Sequence, residues 1–196
     1  MSSLPINHVS DAVPVRLKSA PPRRHRLIVA GAIGLAGLLS GCASTKQAPL
    51  PTVPAVDLAR YAGVWYEIAR TPNWFEAKCA GGVQAHYTLD GDRVRVRNRC
   101  LTCDGKVTEA RGVARAVPGS GNAKLRVSFF WPFYGDYWIL ALDPDYQWAL
   151  VGEPSQRYAW ILARTPALDA AVLEETLARA AALGFDREAF LFTRQP

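Results

Sequence analysis

The side chains that could do chemistry in this chain are four cysteines, three histidines and scattered carboxylates. A catalytic triad needs a histidine beside a serine or cysteine, and a zinc site usually needs several His or Cys ligands at motif spacing. Only His86 lies beyond residue 41, and the sequence has no HExxH, GxSxG, P-loop or GxGxxG motif. We therefore expect no metal, no cofactor and no enzymatic activity.

Glu67 keeps one catalytic alternative open. If Glu67 faces the protein interior, burial would raise its pKa and the carboxyl could act as a general acid or base. It could equally be a buried carboxylate that hydrogen-bonds to a Tyr or Arg, or one that binds the head group of a ligand. We favour the non-catalytic role.

The cysteines indicate an oxidising compartment. Cys100 and Cys103 have the CxxC spacing of redox and zinc sites, but neither a helix nor a second ligand pair accompanies them. Cys79 precedes the first strand of a predicted hairpin and Cys100 ends its second strand, so these two could face each other. Mirror symmetry about Gly91 would instead pair Cys79 with Cys103. The remaining thiol would stay free or link two molecules.

The first 41 residues differ in charge and hydropathy from the rest. They carry five basic residues and one acidic residue, so +4 of the formal net charge of +6 belongs to them. The remaining +2 gives no reason to expect nucleic-acid binding. The basic residues 23–26 precede an apolar run, residues 27–39, that is too short to span a bilayer and is typical of a secretory signal. Residues 43–56 are small, polar and rich in proline, which predicts a tether.

Eight segments alternate between apolar and polar residues, as half-buried strands do. They are residues 65–70, 83–89, 93–99, 108–117, 123–130, 137–142, 147–151 and 158–164. Regularly spaced strands favour an antiparallel sandwich or barrel, and a closed barrel of eight strands can hold one small ligand. Asp169 can cap a following helix with one apolar face, which Gly184 can end. We predict an all-β fold with one helix: an eight-stranded antiparallel up-and-down β-barrel and a C-terminal α-helix packed outside. Residues 190–192 could add a short last strand.

Several motifs in this order resemble the lipocalin family, specifically the bacterial outer-membrane lipoprotein lipocalins. Gly63 and Trp65 match the family's first motif, Gly-x-Trp, and Arg164 matches the Arg of the third motif. Residues 143–146 stand in place of the second motif but lack its Thr, and residues 127–135 resemble the bacterial branch. The resemblance covers residues 57–196. It implies that Gly63, Trp65 and Arg164 close the base of the barrel as structural residues.

The resemblance also extends to the N-terminus. Residues 39–42, Leu-Ser-Gly-Cys, resemble a lipobox, which implies that residues 1–41 are a removed signal peptide and that Cys42 is acylated. Residues 42–56 would then be a lipidated tether. Ala43, in place of Asp, implies passage to the outer membrane, where the domain would face the periplasm. Some bacterial lipocalins carry cysteines at the first two positions, which favours a Cys79–Cys100 disulfide.

Strand alternation predicts which side chains face the barrel interior. Positions of the same parity as Trp65 include Glu67 and Ala69, and other lines of residues follow from Arg164 and from residues 125–129. The expected ligand-cavity residues are Glu67, Val127, Phe129, Trp131, Phe133, Tyr137, Tyr158 and Trp160. By resemblance the ligand is a fatty acid or lysophospholipid, stored or carried for envelope maintenance under stress, and a homodimer can form. The alternative is a structural envelope lipoprotein whose own side chains fill the barrel.

Overall fold

Strands are the main secondary structure in the part of the chain that the structure describes. The computed structural model describes residues 49–196; the predicted signal peptide and Cys42 lie outside the described residues. The helices are α1 (Leu58–Tyr61) and α2 (Ala170–Ala182), and a 3-10 helix spans Arg187–Ala189. The strands are β1 (Gly63–Arg70), β2 (Cys79–Asp90), β3 (Arg93–Thr102), β4 (Val107–Ala116), β5 (Lys124–Phe130), β6 (Phe133–Leu142), β7 (Trp148–Gly152), β8 (Ala159–Ala163) and β9 (Leu191–Phe192).

Eight of these strands close into a barrel. They pair antiparallel in the order β2-β3-β4-β5-β6-β7-β8-β1, and β1 also pairs with β2, which closes the circle. At this seam Trp65 lies opposite Ala85, while Tyr66 lies opposite Ala163 of β8. β9 pairs with the last two residues of β1. The predicted up-and-down barrel and the short last strand are therefore confirmed.

The hairpin of β2 and β3 illustrates how alternation produces the barrel wall. In β3 the side chains of Val94 and Val96 are buried, whereas the arginines between and beside them are exposed. Gly91 lies in the turn with φ +62°, a left-handed conformation that glycine adopts without strain. In this part of β3 the inner face is therefore apolar and the outer face is charged.

Helix α2 packs against the outside of the barrel, as predicted. The Asp169 side chain accepts hydrogen bonds from the first free backbone N–H groups of the helix, and Gly184 follows its end with φ +90°. Leu177 and Ala180 are buried against barrel side chains that point outwards. Within residues 49–196, no helix is long and apolar enough to cross a membrane.

The chain already contacts the barrel before α1. Leu50 packs in the outer cluster with α2, and Val56 is buried at the closed end. The backbone N–H of Val56 donates to the carbonyl oxygen of Gly121 at 2.8 Å. The described part of the predicted tether, residues 49–56, therefore lies on the barrel.

Candidate functional site

One end of the barrel is closed by an indole ring and a guanidinium group. Trp65 is fully buried, and the guanidinium carbon of Arg164 lies 3.9 Å from the centre of its ring. Arg164 also donates hydrogen bonds to the backbone carbonyls of Arg60, Val64 and Tyr146, at 2.6, 2.9 and 3.2 Å. Because each of these groups is held by the others, this end offers no entrance to a ligand.

Gly63 leaves the space that this closure requires. Its φ of +101° is rarely adopted by other residues, and a Cβ atom there would lie 3.2 Å from Nη1 of Arg164. Trp65 is fixed further by its indole N–H, which donates to the carbonyl oxygen of Tyr61 at 2.8 Å. The three residues that the motifs single out, Gly63, Trp65 and Arg164, thus meet at one end of the barrel.

Three tyrosines lie above this closure. The hydroxyl of Tyr137 hydrogen-bonds to those of Tyr61 and Tyr87, at 2.8 and 3.1 Å. Burial raises the pKa of Tyr87 to about 12 and the pKa values of Tyr61 and Tyr137 well above their usual range. All three therefore stay neutral and form a polar but uncharged floor.

Above the tyrosines the barrel contains a cavity of about 720 Å³. It exists because one wall, β4, carries only small inward residues: Thr108, Ala110 and Ala114 line it, and Gly112 lies in the same row. A Cβ atom at Gly112 would lie 2.7 Å from the Ser128 carbonyl oxygen and 2.9 Å from the Phe129 ring. The alternative of a barrel filled by its own side chains does not agree with this structure.

A network around one buried carboxyl group borders the cavity. Glu67 is only 3% exposed; its Oε1 accepts a hydrogen bond from the Thr193 hydroxyl and lies 3.3 Å from Nε of Arg70. Arg70 Nε also pairs with Glu76 at 2.8 Å. Burial, reinforced by the negative charge of Glu76, raises the pKa of Glu67 to about 8. At neutral pH this carboxyl therefore holds its proton.

A group of aromatic rings stands beside this network at the open end. The ring of Phe75 lies 5.6 Å from that of Tyr158 and 6.3 Å from that of Trp160, between centres. The indole N–H of Trp160 donates to Glu76 Oε1 at 3.3 Å. Strand alternation in the sequence did not identify Phe75, Glu76 or the neighbouring Trp74. The segment between β1 and β2 has no alternating pattern that reveals its orientation.

A disulfide joins the rim strands β2 and β3. It links Cys79 to Cys100, with a Cα–Cα distance of 5.6 Å, which is the pair that the resemblance implies. Register shifts in β2 place Cys79 opposite Thr102, so the pairing with Cys103 that mirror symmetry suggests does not form. Among the described residues, Cys103 is the free cysteine, and it is exposed.

Most of the side chains expected in the cavity do line it. They are Glu67, Val127, Phe129, Phe133, Tyr137, Tyr158 and Trp160. Trp131 is an exception: it is 81% exposed in the turn between β5 and β6 and does not contribute to the lining. Ala69 is another, because a bulge between Glu67 and Ala69 turns it into the outer cluster. Among residues 49–196 no group of three or more His, Cys, Asp or Glu residues could hold a metal ion.

A sequence comparison decides the family of this barrel. The family model described as the lipocalin-like domain matches residues 56–195, which is most of the chain. The chain belongs to the lipocalin family. The similarity that the motifs around Trp65 and Arg164 indicated thus extends over the whole barrel and its C-terminal helix.

This lipocalin has relatives in bacteria and plants. It is 40% identical over 162 residues to the outer membrane lipoprotein Blc of Escherichia coli K12, covering 81% of this chain and 91% of that protein. It is 38% identical over 151 residues to temperature-induced lipocalin-1 of Arabidopsis thaliana, covering 72% and 81%. Among solved structures, insecticyanin from the tobacco hornworm Manduca sexta superposes with a TM-score of 0.61 at 22% identity, over 74% of this chain and 85% of that one. The last similarity concerns the fold alone.

Proposed function

We propose that this lipocalin binds a single-chain lipid, a fatty acid or a lysophospholipid, inside its barrel. The observation that carries the proposal is the cavity of about 720 Å³, closed at one end and lined mainly by apolar and aromatic side chains. Burial of a methylene group contributes about 0.8 kcal/mol, so a sixteen-carbon chain gains about 12 kcal/mol before losses. Ordering of the chain and of the ligand leaves an affinity of roughly micromolar or somewhat better.

The proposal places this function at the outer membrane. Cys42 carries the lipid anchor after residues 1–41 are removed, the barrel faces the periplasm, and the protein stores or carries lipids for envelope maintenance under stress. Support comes from the lipobox-like residues 39–42 and from relatives named as outer membrane lipoproteins, at 36–40% identity. A homodimer stays a prediction, which light scattering of the purified protein tests.

Lipocalins are in general binding proteins rather than enzymes, and the surroundings of Glu67 favour the same role here. Its carboxyl borders the cavity but is engaged by Thr193 and Arg70 of the protein itself. A group held in this way supports the shape of a binding site. Turnover of a substrate that disappears in Glu67→Gln would instead assign a catalytic role to this carboxyl.

Displacement of a fluorescent fatty-acid analogue tests the proposal. The analogue should quench tryptophan emission, because Trp160 lines the cavity, and lysophospholipid should displace it. Ala110→Phe, which fills the cavity from β4, should weaken binding by about tenfold or more. Val113→Phe, on the outward face of the same strand, is the matched control and should leave binding unchanged. Equal affinity in the parent and Ala110→Phe, or no binding at all, would refute binding in the cavity.

A further inference from the structure

One side of the barrel carries most of the positive charge. Strands β3, β4 and β5 hold eight basic residues and one acidic residue, whereas the rest of residues 49–196 holds nine basic and fifteen acidic residues. The net charge is therefore +7 on three neighbouring strands and −6 elsewhere in this range. We call the exposed arginines on the outer face of these strands the basic wall: Arg93, Arg95, Arg97, Arg99, Arg111, Arg115 and Arg126.

Arginines of the basic wall face one another across the strands. Arg97 of β3 lies opposite Arg111 of β4. Arg93 lies opposite Arg115, which in turn lies opposite Arg126 of β5. Like charges that are directly opposite destabilise a sheet. The strands pair through their main chains and the core is formed by inward side chains, so the barrel itself does not require these arginines. A partner with negative charge would turn their repulsion into attraction.

Carboxylates balance only part of this charge. Three of them form ion pairs with five of the seven arginines: Asp90, Asp92 and Glu109. A fourth, Asp136 of β6, lies opposite Arg126 in the sheet. Four carboxylates against seven arginines leave an excess of three positive charges. The ion pairs are also exposed, so they hold the guanidinium groups only weakly and leave them accessible to another anion.

The positive potential of the basic wall acts on His86 of the neighbouring strand β2. Burial, and then the charges of Arg97 and Arg99, lower the pKa of His86 below its usual value. Its Nδ1 lies 3.3 Å from a guanidinium nitrogen of Arg97. The imidazole is therefore neutral at neutral pH, and the arginines alone set the charge of this face.

Helix α2 leaves the basic wall uncovered. The outer hydrophobic cluster that holds α2 draws on β1, β6, β7 and β8 but not on β3, β4 or β5. In the closed order of eight strands, β4 lies across the barrel from β8. The helix and the basic wall therefore occupy opposite sides of the barrel, and the wall is accessible to a partner.

An exposed aromatic turn continues this side of the barrel at the open end. β5 ends at Phe130, and the side chains of Phe130, Trp131 and Phe133 are 79%, 81% and 73% exposed. Tryptophan is enriched at the interface between membrane and water, and basic residues attract anionic lipids. A soluble polyanion would need the charges alone, whereas a lipid surface uses both the charges and the exposed rings.

We propose that the basic wall docks this protein on an anionic lipid surface, with the aromatic turn at residues 130–133 among the head groups. Guanidinium groups match the geometry of lipid phosphates, which they bind through two hydrogen bonds at once. Because Phe130 and Phe133 also line the cavity, docking brings the mouth of the cavity to the bilayer. The inference goes beyond the proposed function, since it concerns the outside of the barrel and does not require that the cavity holds a lipid.

Flotation with lipid vesicles tests this docking surface. The protein used is residues 42–196 with Cys42→Ser, so that no acyl anchor contributes. The closed barrel and both hydrophobic clusters lie within residues 49–196, so this chain folds without the first 41 residues. Vesicles of phosphatidylcholine alone are compared with vesicles that contain about one third phosphatidylglycerol. We expect binding to the anionic vesicles to be about tenfold tighter or more, and the difference to disappear as salt rises from about 0.1 M to about 0.5 M.

Substitutions locate the contact on the barrel. Arg97→Gln with Arg111→Gln removes one cross-strand pair and should weaken binding to the anionic vesicles about tenfold or more. Arg179→Gln with Arg187→Gln, in α2 and the 3-10 helix, is the matched control and should retain the affinity of the parent. Each double variant removes two positive charges and leaves one carboxylate without its partner. Trp131→Ala should weaken binding severalfold and leave its salt dependence in place.

Two controls accompany these measurements. Far-UV circular dichroism verifies that each variant is folded. The fluorescent fatty-acid analogue, measured without vesicles, should bind every variant as it binds the parent, because none of the replaced residues lines the cavity.

Equal binding to the two kinds of vesicle, or an Arg97 and Arg111 double variant that binds like the control, would overturn the inference. A DNA duplex that binds as tightly as the anionic vesicles, with no effect of Trp131→Ala, would assign the basic wall to soluble polyanions and also overturn it. Each of these results would leave lipid binding in the cavity in place. Failure of the fatty-acid analogue to bind would overturn the proposed function alone.

Discussion

The protonated carboxyl of Glu67 should make this protein less stable as the pH rises. Burial, with the charge of Glu76, raises its pKa from about 4.5 to about 8 in the folded state. Between these values the folded state binds up to one proton more than the unfolded state, so the free energy of unfolding falls by at most about 1.4 kcal/mol per pH unit. The whole interval corresponds to about 5 kcal/mol as an upper bound, and the pKa of about 8 already includes the opposing effect of Arg70.

Glu67→Gln removes this titration while keeping a hydrogen-bond acceptor for Thr193. We compare urea unfolding of the parent and the variant from about pH 5.5 to about pH 8.5. Over this range the free energy of unfolding of the parent should fall by about 2–4 kcal/mol more than that of the variant. Glu175→Gln, which removes an exposed carboxylate, should follow the parent at every pH.

The difference in unfolding free energy between the parent and Glu67→Gln isolates the titration of Glu67. Other carboxylates, such as Asp90, whose pKa is lowered by Arg95, affect the pH dependence of unfolding equally in both proteins. Their contributions therefore cancel in the comparison. If the curves of the parent and Glu67→Gln run parallel over this range, Glu67 does not change protonation there, and the description of a neutral buried carboxyl is wrong.

Three further perturbations address the closed end, the disulfide and the rim. Arg164→Ala should destabilise the fold by about 2–4 kcal/mol, because three carbonyls and an indole face lose their partner; a melting temperature equal to that of the parent would contradict this role. Replacing both Cys79 and Cys100 by Ala should cost about 3 kcal/mol in urea unfolding, since the bridge closes a loop over a separation of 21 residues; no change would mean that the bridge does not constrain the unfolded chain. Trp131→Ala should leave affinity for the fluorescent fatty acid within about twofold, whereas Phe129→Ala should weaken it about tenfold; the reverse order would place Trp131 in the cavity after all.

The barrel itself follows from the sequence because half-buried strands repeat every two residues. In β3 the buried Val94 and Val96 alternate with the exposed Arg93, Arg95 and Arg97, so alternation alone predicts this part of the wall. The helix is equally visible, since Asp169 and Gly184 mark its limits and its apolar positions recur at helical spacing.

The candidate site is less visible because local irregularity and distant contacts decide it. A bulge reverses the orientation of Ala69, which strict alternation places inside. The segment that holds Phe75 and Glu76 has no period, so only the folded chain reveals its orientation. Thr193 reaches Glu67 across a sequence separation of 126 residues, a contact that no local pattern encodes.

The small inward residues of β4 set the volume of the cavity but do not determine how the strand pairs with its neighbours. The strand is held to β3 and β5 by main-chain hydrogen bonds, which do not depend on the identity of Ala110 or Ala114. Substitutions at these positions can therefore enlarge or reduce the cavity by single methyl-sized steps while the strands stay hydrogen-bonded. The volume of the cavity can therefore change while the fold of the barrel stays the same.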